Sequence, residues 1–354
     1  MTLTVLSVAY PLAPVGPDAV GGAEQMLAHL DRALAEAGHR SIVVACEGSV
    51  TRGRLVEVPR EAGPLDEAVR ARAWARHRAA IAGALERWPV DLVHLHGHDF
   101  HAYLPAPGVP ALATLHVPPD WYAPEALRPG RPDTWLHGVS QTQTESFPPG
   151  LNLLSPIPNG VPVKELAARH AKRGFAFVLG RVAPEKGIHL AIEAAKQAGV
   201  PLLIAGEVFG YEAHTRYFEE AVRPNLDHAR RFVGPAGFVR KRRLLTAARC
   251  LLVPSLVPET SSLVAREALA CGTPVVAFPN GALRETIDEG VTGFLVADVD
   301  GMAEAIRRAP ALDPEACRRV ARERFSLDHM IKGYFALYER LAAGRTPERR
   351  PGAA

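Results

Sequence analysis

Two carboxylates eight positions apart, Glu259 and Glu267, follow an apolar run of strand type that ends near Pro254. With a helix starting near Ser261, Glu259 falls in the loop before it and Glu267 about two turns in, so both can face one ligand. Thr260, Ser261 and Ser262 add hydroxyls and unpaired N–H groups at the helix entrance, where the helix dipole favours an anion such as a diphosphate. Isolated pairs of this kind are more often an N-cap followed by a salt-bridged surface glutamate.

Leu179-Gly180-Arg181-Val182-Ala183-Pro184-Glu185-Lys186-Gly187 likewise follows a strand-like run and opens a helix. Arg181 and Lys186 are placed to neutralise a departing diphosphate without a metal, although spacing alone leaves this level with two solvated loop charges. Gly21-Gly22, between the first strand and its helix, lets bare backbone approach an anion. It is not the G-x-G-x-x-G pattern, and glycine pairs in loops are usually turns. His116 ends a predicted strand, at the edge where open α/β sheets bind ligands, but a lone histidine is more often structural. His94, His96, His98 and His101 gather around the preceding strand in a density that also fits a metal site. Asp298-Val299-Asp300 has the spacing of a metal-binding carboxylate pair, yet Asp300 precedes Gly301-Met302-Ala303-Glu304 and capping of a helix accounts for it. Arg240-Lys241-Arg242-Arg243 reads as a solvated helix face, with a phosphate rim as the alternative.

The elements that must position these residues repeat a βα pattern, which predicts an α/β chain with parallel sheets. Strands are expected at residues 2–9, 40–46, 91–96, 110–116 and 135–140, then at 175–179, 201–205, 231–233, 250–253, 274–277 and 293–296. Met26, Leu27, Leu30, Leu34 and Ala37 give residues 23–37 a helical apolar stripe that Gly38 ends. Residues 147–162, dense in proline and glycine, mark a connection between two α/β halves whose sheets would face each other across a cleft. Residues 69–88 form a basic helix carrying Trp74, Ile81, Leu85 and Trp88; a core stripe explains it better than a membrane surface. Met330, Ile331, Tyr334, Leu337, Tyr338 and Leu341 make residues 327–342 an amphipathic helix, and the Arg- and Pro-rich residues 344–354 should fray.

The chain has 354 residues, 47% hydrophobic and 22% charged, which exceeds one ordinary core and predicts two domains of globular composition. A net charge of +3 is too small to imply nucleic acid without a clustered patch and suits an anionic small molecule or membrane surface. Cys46, Cys250, Cys271 and Cys317 lack metal or redox spacing, so reduced thiols in a cytoplasm are expected. Residues 1–6 lack the basic leader and cleavage site of a signal peptide and are expected to open the first strand, and no membrane-spanning run is predicted.

Together the motifs resemble family 4 of the glycosyltransferases, retaining enzymes of the GT-B fold marked by a Glu, seven residues and a second Glu. Cys271-Gly272-Thr273-Pro274-Val275-Val276-Ala277 and Gly290-Val291-Thr292-Gly293-Phe294-Leu295-Val296 look like the family's downstream strands. The resemblance implies two Rossmann-like domains, residues 1–158 for the acceptor and 159–326 for a nucleotide diphosphate sugar, with the helix 327–342 crossing back to the first. It implies that Glu259 contacts hydroxyls of the donor sugar, that Glu267 holds the ribose, and that Arg181 and Lys186 clamp the diphosphate. Gly22 then lies beside the donor phosphate, His116 reaches the donor sugar, and His94-x-His96 lines the cleft with no metal. Val233, Thr260, Ser261, Ser262 and Leu263 complete the residues expected to line the donor, although Thr260-Ser261-Ser262 replaces the family's Phe-Gly. The activity implied is transfer with retention from a UDP- or GDP-sugar to a sugar, lipid-linked or small-molecule acceptor. No cofactor or metal is expected, and neither is nucleic acid; the location is cytoplasmic, with weak peripheral contact at the inner membrane face. The rivals are a GT-B-shaped epimerase or phosphorylase and a nucleotide-sugar-binding protein without transfer.

Overall fold

The structure, a computed structural model, describes residues 2–61, 63 and 66–345; the remainder of the Arg- and Pro-rich tail lies outside the described residues. The chain divides into two compact units, one carrying it up to Pro158 and again from Met330, the other Asn159–His329.

In the first unit seven strands form one parallel sheet: β1 (Thr4–Val8), β2 (Arg40–Cys46), β3 (Arg54–Val58), β4 (Leu92–Leu95), β5 (Ala111–Leu115), β6 (Thr134–Gly138) and β7 (Leu153–Leu154). They lie in the order β3-β2-β1-β4-β5-β6-β7. β1 and β5 are buried along their whole length, as strands of a sheet covered on both faces must be. On one face Leu6, Val8, Val93, Leu95, Ala113 and Leu136 pack with Ile81 and Ala84 of the helix Glu67–Arg87. That helix therefore presents a core stripe, joined by the buried His77. β3 and β7 are additions to the expected strand set: β3 is an edge strand with only three apolar residues among charges, and β7 spans two residues inside the proline-rich connection.

The second unit pairs β8 (Ala176–Leu179), β9 (Leu202–Ala205), β10 (Arg230–Phe232), β11 (Cys250–Val253), β12 (Val275–Ala277) and β13 (Gly293–Leu295) in the parallel order β10-β9-β8-β11-β12-β13. Strand side chains alternate between two cores. Ala176, Val178, Leu202, Ile204, Cys250, Leu252 and Val276 pack with Ile188 and Met302. Phe177, Leu251, Val253, Val275 and Ala277 pack with Leu245, Leu269 and Val320 from the opposite face. Strand order reverses at β1/β4 and at β8/β11, the two places where a doubly wound sheet opens a crevice at its carboxyl edge. No described helix is long and apolar enough to cross a membrane, and all four cysteines are free and buried.

Candidate active site

The β8/β11 switch point collects the residues singled out in the second unit. β8 runs into Gly180 and Arg181, a short turn of 3-10 helix at Pro184–Lys186 follows, and the helix Ile188–Ala198 begins after Gly187. Gly187 must be glycine on two counts: its φ is +62°, and a Cβ there would strike the Pro254 carbonyl at the end of β11. This close approach brings Lys186 to the loop after β11, where its Nζ lies 2.6 Å from Glu259 Oε1. Ser255, wholly buried, donates to the same oxygen at 2.7 Å. Gly281, at φ +60°, packs against the Glu259 backbone, and the Ala282 N–H donates to the Glu259 carbonyl at 2.8 Å. Burial would raise the Glu259 carboxyl, but Lys186, through charge and hydrogen bond, then Ser255 and Arg181, hold it below the usual carboxylate range. Arg181 lies 3.5 Å from Glu185 and keeps a partly exposed guanidinium. The result is an ionised carboxylate beside two cations on the edge of a sheet, a combination that can accept sugar hydroxyls and neutralise phosphate.

The helix bearing the second glutamate is Leu263–Ala270 with Ser262 as its N-cap residue, so it starts near Ser261 as expected but two residues later, and Glu267 stands about one turn in, not two. Ser262 is left-handed, at φ 50° and ψ 67°, and its side chain makes no cap. Both Ser261 and Ser262 are buried with hydroxyls that meet no partner. The N-cap half of the commonplace explanation therefore does not describe this pair. The salt-bridge half does, in altered form: Glu267 is buried, and Lys241 Nζ sits 2.5 Å from its Oε1. Lys241 comes from the helix Phe238–Ala247, so the basic run is not a uniformly solvated face. Val233 lies one residue past β10 and Leu263 opens the glutamate helix, both packed at the edge of the core. Ser255, Gly281 and Lys241 were not singled out from sequence; the signals for them were a serine just past a strand's carboxyl end and one lysine inside an arginine run.

In the first unit Gly22 is the first residue of the helix Gly22–Glu36, with Gly21 as its N-cap at φ −79°. Neither glycine has positive φ. A Cβ at Gly21 would meet only the Glu24 carboxylate, the movable end of a side chain. His116, just after β5, shares a hydrogen bond of 3.1 Å with His96. Burial, with His137 adding repulsion, lowers His116 to about 3, so its ring is neutral near pH 7 and acts through hydrogen bonds and not as a cation. His94 does not line a ligand edge. It is fully buried, shared between Tyr338 and Thr114 at 2.7 Å each, because it points to the sheet face covered by the helix Leu327–Ala342. Among the described residues no three His, Cys, Asp or Glu side chains are grouped to hold a metal ion. At the D-x-D segment the capping residue is Asp298, which accepts from the Gly301 N–H at 2.8 Å; Asp300 stands in the helix's first turn.

Comparison with known proteins agrees with this plan. Residues 174–310 match the family model described as Glycosyl transferases group 1, and residues 20–140 match that of Glycosyltransferase Family 4. Glycogen synthase of Mycobacterium tuberculosis (strain CDC 1551 / Oshkosh) is 30% identical over 386 residues, covering 91% of this chain and 89% of that one. Among solved structures, AviGT4, a glycosyltransferase involved in avilamycin A biosynthesis, has a TM-score of 0.74 at 27% identity, covering 97% of this chain and 98% of that one. Anabaena Alr3699/HepE in complex with UDP and glucose, at 17% identity and a TM-score of 0.73, covers 95% of this chain and 99% of its own and shares the fold. Two parallel-sheet Rossmann-like units of this type define the GT-B glycosyltransferases. The chain belongs to the family 4 glycosyltransferases, related to glycogen synthase.

Proposed function

We propose that this glycosyltransferase moves a sugar from a nucleotide diphosphate, UDP or GDP, to an acceptor hydroxyl with retention of anomeric configuration. The observation that carries the reading is the Lys186–Glu259–Ser255 cluster with Arg181 at the β8/β11 switch point. In this reading Glu259 accepts hydroxyls of the donor sugar and Glu267 the ribose hydroxyls. Thr260, Ser261, Ser262 and Leu263 line the diphosphate at the helix entrance, and Val233 lies beside the nucleotide. Arg181 and Lys186 meet the charge that develops as the bond from the anomeric carbon to phosphate oxygen breaks, in place of a metal. A phosphate oxygen then takes the acceptor's proton as the new glycosidic bond forms on the same face. His116, as a neutral hydrogen-bonding ring, and Gly22 are the first unit's candidate ligand contacts. The first unit binds the acceptor and the second the donor, and the reaction runs in the cytoplasm.

Support for UDP comes from the complex of the Anabaena neighbour with UDP and glucose, and support for a carbohydrate acceptor from the M. tuberculosis glycogen synthase. The test is binding of UDP-, GDP- and ADP-sugars followed by donor turnover with and without sugar, lipid-linked and small-molecule acceptors. Acceptor-dependent release of the nucleoside diphosphate with an α-product from an α-donor is expected. Turnover of the donor without acceptor to an epimer, or binding without any turnover, would point to the epimerase or binding-protein alternatives. Arg181→Ala and Lys186→Ala should each lower turnover by at least about tenfold, the loss of one charge-assisted contact. Unchanged turnover in both variants would remove the clamp assignment.

A further inference from the structure

Lys241 is the cation of its run that pairs with a carboxylate. Arg240 and Arg242 reach backbone carbonyls, at Pro235 and Glu165, and Arg243 is exposed. The Lys241 side chain keeps 15% of its surface and Glu267 5%. The Lys241 ammonium also lies 5.9 Å from the centre of the Phe238 ring, which limits where its stem can go. The successive helices Phe238–Ala247 and Leu263–Ala270, which share an apolar core, are thus also joined by a buried ion pair.

Such a pair is weak evidence for stability, because desolvating both charges offsets most of their attraction. What it does fix is geometry. Lys241 takes Oε1, and no other described side chain hydrogen-bonds the Glu267 carboxylate. Oε2 is left as an acceptor whose direction is set by the lysine, in the same manner as an orienting partner fixes a ligating group. We propose that Lys241 is a positioning residue for ribose recognition. It aims the Glu267 carboxylate so that it can accept from the vicinal hydroxyls of a nucleotide's ribose. This rests on the reading of Glu267 given above.

The test is calorimetric titration of the full chain with UDP and with 2′-deoxy-UDP, using the GDP and ADP pairs where UDP gives no heat, for wild type, Lys241→Met, Lys241→Arg and Glu267→Gln. The wild type should prefer the ribonucleotide by about tenfold or more, the worth of a hydrogen bond to a charged group. Lys241→Met should lose most of that preference, Lys241→Arg should recover it in large part, and adding Lys241→Met to Glu267→Gln should change it no further. Lys241→Leu, which also lacks a donor, carries the same expectation as the methionine variant and replaces it should that variant not melt cooperatively. A Lys241→Met protein that keeps the full preference, or that weakens both nucleotides equally, overturns the inference while leaving the donor reading intact. A wild type with no ribose preference removes the Glu267 role and the inference with it. A wild type that binds none of the three nucleotides removes the donor reading as well.

Discussion

Ser262 holds a backbone conformation that costs an L-residue about 1–2 kcal/mol, and its buried hydroxyl recovers nothing from a cap or a partner. Ser262→Gly should therefore raise the stability of the free protein by up to about 1 kcal/mol, glycine's larger unfolded-state entropy offsetting part of the relief. Ser262→Ala keeps the strain and should gain less, only what removal of an unpaired buried hydroxyl returns. Urea unfolding of the two variants checks this, and a glycine variant no more stable than the alanine one would mean that the strain is absent. Glu259 sits at the opposite extreme, its carboxylate held by Lys186 and Ser255. Glu259→Gln removes the charge facing Lys186 and should reduce turnover by about a hundredfold, with a much smaller change in melting temperature. Loss of turnover in step with loss of folded protein would instead make Glu259 a structural residue. Arg181, Lys186 and Glu259 were legible in the sequence because each stands within a few residues of a strand's carboxyl end, where chain order alone dictates position. Lys241 was not, because its partner lies on another helix and only folding decides which cation of a basic run meets it; Ser255 bonds Glu259 only four residues on, but a loop serine carries no mark of that contact.

Among the elements, the helix Leu327–Ala342 shows what amphipathic spacing reveals and what it hides. Its extent followed from apolar residues at helical spacing, and Tyr334 and Tyr338 on that stripe are fully buried. Their hydroxyls, however, meet a polar strip of sheet made by His94, Thr114 and His137, with Tyr334 3.3 Å from Thr114. Binary patterning counts tyrosine as apolar and histidine as polar, so neither half of this contact could be read from it. The same blindness left β3 unseen, since an edge strand half covered by charge carries little apolar signal. Tyr338→Phe leaves one ring nitrogen of the buried His94 unpaired and should cost about 1–3 kcal/mol. Ile331→Ala, on the same helix but less buried, should cost less. Chemical denaturation of both variants, followed through tryptophan, gives the comparison; equal costs would mean that the helix is held by its apolar stripe alone.

At the level of the whole chain the two units differ in how they should respond to acid. Burial keeps four histidines of the first unit neutral: His94 and His96 lie well below the ordinary histidine value, His116 is lowered to about 3 and His137 to about 4. In the second unit His189 and His214 are lowered too, but are partly exposed. Unfolded, each histidine would titrate near 6.5. As pH falls below that value the unfolded chain binds protons that the folded first unit cannot, so stability declines. The decline is at most about 1.4 kcal/mol per pH unit for each such histidine, and for His116 and His137 it continues until their folded values of about 3 and about 4 are reached. Above pH 6.5 these groups contribute no pH dependence. Trp74, Trp88, Trp121 and Trp135, the chain's only tryptophans, all fall in the first unit, whereas far-ultraviolet circular dichroism follows helices in both. Between pH 7.5 and 5 the tryptophan-detected melting temperature should therefore fall more steeply than the transition of the remaining dichroic signal. His137→Gln should flatten the tryptophan-detected slope. A melting temperature that is independent of pH over this range, or that falls equally by both probes, would show that the buried histidines do not govern the acid response of the first unit.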